Sequence, residues 1–171
     1  MSGHLNHRYL IALGSNVRHH RHGRPRVVLA AALEAMRDEG LDVICSAPVI
    51  VSRPLGPSRR AYANSAALVE TPLMPEAMLE MLKDIEARFG RRRGQNWGAR
   101  VLDCDIVLWD GGPWHGPHLT IPHPSFRDRD FVLGPAASIA PLWHDPLTGR
   151  TVRQLQAKLG KVKRIMAATH P

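Results

Sequence analysis

The 171-residue sequence has little cysteine and no long apolar run. Its two cysteines, Cys45 and Cys104, are too few for a disulfide framework, which favours a reducing compartment. No stretch of about 18 consecutive apolar residues is present, so the sequence offers no membrane span. The polar segment Met1 to Arg8 does not resemble a secretory signal. These absences predict a cytoplasmic protein that does not enter a membrane.

Several familiar nucleotide-binding motifs are also missing. The sequence has no GxxxxGK P-loop, no GxGxxG fingerprint of a dinucleotide-binding fold, and no HRD or DFG motif of a protein kinase. If ATP binds, another arrangement must hold it. Aromatic residues make up only 5% of the chain, and the aromatic-rich strand typical of RNA-recognition modules is absent. This disfavours an RNA-binding module.

What the sequence does contain is positive charge, with a formal net charge of +8. This excess of positive charge favours a polyanionic partner, whether nucleic acid, a membrane surface or a phosphorylated small molecule. The composition is that of a globular protein, with 44% hydrophobic and 22% charged residues. The length suits a single domain over residues 1–171, with a core of about residues 9–160.

Apolar periodicity and turn residues predict a β-α-β-β-α-β order followed by further elements. Strands are predicted at Tyr9–Leu13, Val43–Val51, Tyr62–Glu70, Val101–Trp109 and near Phe131–Leu133. Helices are predicted at Pro25–Glu39 and from Pro75 to Gly90, with a short one from about Thr151. Pro48 confines its strand to an edge or a bulge. The order indicates an α+β, ferredoxin-like fold with an antiparallel sheet.

The strand Val101–Trp109 carries the most informative pattern. Alternation along a strand puts four apolar side chains on one face, namely Leu102, Cys104, Ile106 and Leu108. Asp103 and Asp105 then share the other face, with Cα atoms roughly 6–7 Å apart. Two like charges so close repel each other, and magnesium bound together with substrate phosphates would compensate them. Two surface aspartates on a solvated face are the alternative.

A cationic loop leads directly into this strand. Residues 88–100 include five arginines and no carboxylate: Arg88, Arg91, Arg92, Arg93 and Arg100. The planar guanidinium suits bidentate contacts to phosphate oxygens, so the loop and the aspartates together favour phosphoryl transfer over a merely solvated basic face. Another group, His19, His20 and His22, is weak evidence for a metal site because of its spacing, and we expect it to be solvated.

With these features the chain resembles the family of 6-hydroxymethyl-7,8-dihydropterin pyrophosphokinases. The strongest match is WGARVLDCDI at residues 97–106, against the family's WGPRxLDxDI. Shorter matches occur elsewhere in the chain, in the same order as in the family: Leu13–Asn16, Pro54–Pro57, Tyr62–Asn64, Ile121–Pro124 and Arg129–Leu133. Together they span about Tyr9 to Pro141, which is most of the chain.

The resemblance implies an α–β–α sandwich and roles for individual residues. Asp103 and Asp105 would bind the metal, and Arg91 and Arg100 would act with them on the phosphates. The pterin pocket would consist of Ser52, Pro54, Leu55, Gly56, Tyr62, Asn64, Trp97 and Phe131. Tyr62 and Phe131 would sandwich the pterin ring. The ATP side would consist of Lys83, Glu86, Arg93, Ile106, His118, Thr120, His123 and Arg129.

The resemblance also implies a reaction. The terminal diphosphate of ATP would pass by direct displacement to 6-hydroxymethyl-7,8-dihydropterin, giving AMP and the pterin diphosphate in tetrahydrofolate biosynthesis. Two magnesium ions and ATP as co-substrate would be required. The expected partners are small molecules, not nucleic acid or membrane, and the chain is expected to be a monomer. An RNA-recognition module and a metal-dependent phosphohydrolase are the rival hypotheses.

Overall fold

The computed structural model describes residues 5–52, 61–90 and 101–169, which form seven strands, four α-helices and one 3₁₀ turn. The strands are β1 His7–Ser15, β2 Asp42–Ser46, β3 Ile50–Ser52, β4 Tyr62–Thr71, β5 Asp103–Trp109, β6 Trp114–His115 and β7 Thr120–Ile121. The helices are α1 Pro25–Asp38, α2 Pro75–Arg88, α3 Asp130–Ile139 and α4 Val152–Thr169, and the 3₁₀ turn is Phe126–Asp128.

The main sheet is antiparallel, with the strand order β2-β4-β1-β5 and with β3 also paired to β4. Helix α1 connects β1 to β2 across one intervening strand, and α2 connects β4 to β5 in the same way. This is the split βαβ topology of ferredoxin-like folds. The predicted α+β class and mainly antiparallel sheet are confirmed.

Helices α1 and α2 cover one face of the sheet. Pro25 and Pro75 begin them, and Gly40 and Gly90 follow their ends with positive φ angles of 84° and 91°. Apolar side chains recur at helical spacing on their inner faces: Leu29, Ala32, Met36, Met78, Leu82, Ile85 and Phe89. The strands contribute Tyr9, Ile11, Cys104 and Ile106 to this first core.

Helices α3 and α4 cover the opposite face, with α3 on β4 and α4 on α3. The second core includes Leu10, Ala66, Val107, Leu108, Phe126, Leu133, Ala136 and Leu155. At its rim the buried Asp145 carboxylate accepts two hydrogen bonds from the Arg127 guanidinium, both at 2.7 Å. The sheet thus lies between two helical layers, as the predicted sandwich requires.

The strand predicted near Phe131–Leu133 is wrong, because these residues begin helix α3. Val132, Leu133 and Ala136 are buried at helical spacing against the sheet, and Asp130 in the first turn favours the helix N-terminus. A run of three apolar residues shows no periodicity that would separate a strand from a buried helix.

The single strand predicted over Val43–Val51 is two strands, β2 and β3, separated around Pro48. Proline has no N–H to donate to a ladder, so the pairing with β4 breaks there and resumes at Ile50. The small β6–β7 hairpin was not predicted, because strands of two residues are too short for a readable alternation.

Strand β5 contains a bulge that reverses its alternation. Leu10 lies opposite Leu108, but Ile11 lies opposite Ile106, so Val107 is an extra residue. An extra residue moves the following side chain to the other face. Leu108 therefore lies in the second core, and the prediction that it shares a face with Cys104 and Ile106 is wrong.

Helix α4 has 18 residues and is longer than the short helix predicted. Only Val152 and Leu155 are buried along it, and its remaining surface is rich in lysine. Neither α4 nor any other helix in the described ranges is long and apolar enough to cross a lipid bilayer.

Candidate active site

Asp103 and Asp105 lie at the start of β5, the last described strand on its side of the sheet. Both residues are half-buried, and Cys104 between them is fully buried in the first core. Because side chains alternate along a strand, both carboxylates belong to the α3–α4 face. This agrees with the prediction from the sequence that the two aspartates share one face of the strand.

Gly14 separates the aspartate pair from the polar residue on the next strand. It lies opposite Asp103 of β5 on one side and opposite Asn64 of β4 on the other. Neighbouring strands are about 4.8 Å apart, so the backbones of Asp103 and Asn64 are about 10 Å apart across the glycine. A Cβ atom at Gly14 would lie 3.4 Å from Asn64 Oδ1. The missing side chain thus leaves an open floor between the two polar residues.

Asn64 is held in place by its neighbours on the same face. Its Nδ2 donates to Ser52 Oγ at 2.6 Å and makes a longer contact of 3.5 Å to the Tyr62 carbonyl oxygen. Tyr62 lies two residues before Asn64 on β4 and is half-buried, so its ring belongs to this face as well. Phe131 lies in the first turn of α3, in the layer above, with its ring centroid 5.8 Å from the Arg129 guanidinium carbon.

Glu86 contacts the strand between the two aspartates. The Cys104 N–H donates to Glu86 Oε1 at 2.8 Å, and Lys83 Nζ lies 3.0 and 3.1 Å from the two carboxylate oxygens. The Glu86 side chain is fully buried, whereas that of Lys83 is 35% exposed. Burial raises the pKa of Glu86, and this outweighs the opposing effects of Lys83 and of the Cys104 N–H.

His123 lies next to the bulge in β5. Its backbone N–H donates to the Val107 carbonyl at 3.0 Å, and its Nδ1 accepts the Ser125 N–H at 3.2 Å. Burial lowers the pKa of His123, the Asp105 carboxylate opposes that effect, and Arg129 adds to it. A neutral imidazole that accepts at Nδ1 carries its proton on Nε2.

Three other residues expected on the ATP side occupy different surroundings. Ile106 is buried in the first core, on the face opposite to the aspartates. His118 and Thr120 are exposed on the β6–β7 hairpin, which contacts β5 through β7.

The family model for 7,8-dihydro-6-hydroxymethylpterin-pyrophosphokinase (HPPK) matches residues 10–141, about three quarters of the chain. The chain belongs to this family. The resemblance read from its motifs is therefore confirmed, and so is its class, the pyrophosphokinases. Similar curated proteins carry the name 2-amino-4-hydroxy-6-hydroxymethyldihydropteridine pyrophosphokinase.

One of them, from Methylorubrum extorquens, is 35% identical over 89% of this chain and 93% of its own length. Another, from Pseudomonas aeruginosa, is 38% identical over 78% of this chain and 81% of its own length. The protein from Synechocystis is 42% identical over 61% of this chain, and the match spans only 53% of that protein.

Solved structures of low sequence identity share the fold. The crystal structure of Plasmodium falciparum HPPK-DHPS matches 90% of this chain with a TM-score of 0.71 and 13% identity. The match covers 44% of that chain. At this identity the likeness supports the architecture alone.

Several residues expected in an HPPK site lie outside the described residues. These are Pro54, Leu55, Gly56, Arg91, Arg93, Trp97 and Arg100. The described part of the candidate site consists of the carboxylate pair, the Asn64 group, Phe131 and the residues around Glu86 and His123.

The histidine group is not a solvated loop throughout. His19 is buried, and its ring is tilted against that of His20 and stacked on that of His22, at centroid distances of 4.3 and 4.7 Å. Its Nδ1 accepts the backbone N–H groups of Arg21 and His22. Burial lowers the pKa of His19, and the neighbouring His20, His22 and Arg21 lower it further. The expectation of a solvated group is wrong for His19, which closes its own loop.

The described residues suit magnesium better than a metal whose ligands must all come from the protein. The described residues contain no group of three or more His, Cys, Asp or Glu side chains that could hold a metal ion. A structural zinc site needs four such ligands. Magnesium is commonly held by one or two carboxylates and completes its shell with water and phosphate oxygens, which suits Asp103 and Asp105.

The structural roles of two residues of the candidate site were not predicted from the sequence. Gly14 belongs to a recognised motif, but its position between Asp103 and Asn64 depends on strand pairing. The contact of Glu86 with Cys104 joins residues 18 positions apart through tertiary packing. A glutamate buried on the inner face of an amphipathic helix is the one signal that could have drawn attention to Glu86.

Proposed function

We propose that this HPPK-family chain transfers the terminal diphosphate of ATP to 6-hydroxymethyl-7,8-dihydropterin, giving AMP and the pterin diphosphate. The observation that carries the proposal is the row Asp103–Gly14–Asn64 across three strands. It joins a carboxylate suited to metal-bound phosphates with an amide suited to a heterocycle, about 10 Å apart and on one face. The names of the curated relatives describe the same transfer.

The pterin would lie over Asn64 and between the rings of Tyr62 and Phe131. A flat heterocycle gains burial and offset stacking between two aromatic rings. Asn64 has both an amide donor and a carbonyl acceptor to offer, and Ser52 fixes its orientation at 2.6 Å. The remaining residues that we assign to this pocket are Pro54, Leu55, Gly56 and Trp97.

ATP would lie along the outer edge of β5, next to Lys83, Glu86 and His123. The Cys104 N–H points away from β1, since it reaches Glu86. Backbone groups alternate in direction along a strand, so the N–H and carbonyl of Ile106 point the same way and can meet the nucleotide, although its side chain is buried. The remaining residues that we assign to ATP are Arg93, His118, Thr120 and Arg129.

We propose that Asp103 and Asp105 hold two magnesium ions together with the phosphates of ATP. Bound magnesium would neutralise phosphate oxygens and lower the pKa of the attacking hydroxyl. Arg91 and Arg100 would neutralise the charge that develops on the departing AMP.

The transfer would be a single displacement. The pterin hydroxymethyl oxygen forms a bond to the β-phosphorus of ATP and gives its proton to solvent. The bond from that phosphorus to the oxygen shared with the α-phosphate breaks, and AMP leaves with the electron pair. The residues of the site orient the two substrates and keep water out of the attacking position opposite the departing AMP, so that ATP is not hydrolysed.

AMP release from ATP and magnesium, measured with and without the hydroxymethyl pterin, tests this proposal. A matched control is 6-methyl-7,8-dihydropterin, which has the same ring but no hydroxyl. We expect AMP only with the hydroxymethyl compound, in equal amount to a pterin product heavier by one diphosphate. Phosphate or AMP release that does not depend on the pterin would instead indicate a phosphohydrolase.

A further inference from the structure

The peptide N–H between the two aspartates finds its acceptor outside the sheet. Cys104 N lies 2.8 Å from Glu86 Oε1 on α2. In the described sheet β5 has a neighbouring strand on one side only, which is β1. The N–H groups of an edge strand that point outward need other partners. Glu86 supplies such a partner for the N–H of Cys104, which lies between the two aspartates.

Glu86 is itself held by Lys83, three residues earlier on the same helix. The ammonium group lies 3.0 and 3.1 Å from both carboxylate oxygens. A fully buried carboxylate is costly unless it is paired and hydrogen-bonded. Lys83 supplies the opposite charge while remaining 35% exposed, so the pair presents a fixed acceptor to β5.

Fixing this N–H constrains the side chains on either side of it. Asp103 and Asp105 share one face only while the backbone at Cys104 between them stays extended, so a rotation about φ or ψ of Cys104 would turn the two side chains apart. Mutual repulsion of two half-buried carboxylates favours such a rotation. The hydrogen bond to Glu86 opposes it and keeps both side chains on one face.

We propose that Glu86, held by Lys83, is a positioning residue that keeps Asp103 and Asp105 at the separation needed to bind divalent metal with ATP. This inference rests on the proposed function and refines the place of Glu86 on the ATP side. Glu86 acts through the backbone of Cys104, and direct contact with the nucleotide is not required. Residues that orient metal ligands in this way typically contribute about 10- to 100-fold to metal affinity or activity.

The test measures Mn²⁺ affinity by electron paramagnetic resonance at a saturating concentration of a non-hydrolysable ATP analogue. Glu86→Gln keeps an oxygen acceptor for the Cys104 N–H. Glu86→Ala removes it, and the double variant Lys83→Met, Glu86→Met removes it without leaving a buried charge, which protects the fold. Glu80→Gln, on the same helix but exposed, is the matched control.

We expect the Mn²⁺ dissociation constant to rise about 10-fold or more in Glu86→Ala and in the double variant. In Glu86→Gln it should rise less than about threefold, and in Glu80→Gln it should not change. The Cys104 amide proton should move upfield in the two variants that lack the acceptor and stay near its original shift in Glu86→Gln.

Unchanged Mn²⁺ affinity in the double variant would overturn the inference, and so would equal losses in the glutamine and double variants. If Glu86→Ala does not fold, the other two variants still decide the question. Failure of the proposed function is a separate outcome, because the wild-type chain would then release no pterin-dependent AMP.

Discussion

Replacing Gly14 should stabilise the fold and lower the enzymatic activity. Gly14 has no positive φ, so alanine or valine can adopt its backbone conformation. Glycine costs conformational entropy on folding, and its replacement by alanine at a compatible site stabilises a protein by about 0.4–1 kcal/mol. For a chain of this size that is a rise in Tm of about 1–4 °C.

The effect on activity should be a loss, because the added atoms occupy the floor of the site. The alanine Cβ would lie 3.4 Å from Asn64 Oδ1, which is about van der Waals contact. The valine methyl groups extend about 1.5 Å further, so one of them must displace the Asn64 amide or fill the space above it. Losing one ligand hydrogen bond at a buried site costs about 1–3 kcal/mol, which corresponds to roughly 5- to 150-fold in kcat/KM.

Thermal unfolding and pterin-dependent AMP release are the two assays for Gly14→Ala and Gly14→Val. The matched control is Gly160→Ala on α4, where a Cβ meets nothing within 4 Å. It should raise Tm similarly and leave kcat/KM unchanged. A Gly14→Val protein with wild-type kcat/KM would refute the assignment of Gly14 as the floor between metal and pterin.

Three further predictions follow from the site and the second core. Asp103→Asn and Asp105→Asn should each lower turnover by orders of magnitude while the circular dichroism spectrum stays unchanged; near-normal AMP formation would count against the metal assignment. Arg91→Ala and Arg100→Ala should slow the chemical step in single-turnover experiments more than they weaken ATP binding. Asp145→Asn should lower the free energy of unfolding by about 3 kcal/mol, because it breaks a buried ion pair. Hydrogen bonds from its arginine partner hold the pKa of Asp145 below its usual value despite burial, so this carboxylate stabilises the fold above about pH 4 and less as the pH falls through its folded pKa. The difference in stability between wild type and Asp145→Asn should therefore shrink in acid, and a constant difference from pH 7 to pH 3 would contradict the argument.

The parts of the fold that follow from local chemistry could be predicted from the sequence. Proline at the first position of each of the first two helices and glycine after the last turn predicted their limits to within two residues. Alternation in β5 placed Asp103 and Asp105 on one face, since this depends only on the strand itself.

Features that depend on a partner element could not be predicted. The bulge at Val107 exists only in the register with β1, so the sequence of β5 alone placed Leu108 on the wrong face. Helix α3 forms because Val132, Leu133 and Ala136 pack on the sheet, whereas the run Phe131–Leu133 alone also suits a strand. The contacts of Glu86 and Gly14 likewise arise only when distant segments are assembled.

A crystal structure of the complex with magnesium, a non-hydrolysable ATP analogue and the hydroxymethyl pterin would test the central claim most directly. The account predicts magnesium at about 2.1 Å from oxygens of both Asp103 and Asp105, with the pterin against Asn64 and its hydroxymethyl group directed across Gly14 towards the β-phosphate. Metal held by other side chains, or a pterin on the opposite face of the sheet, would contradict it.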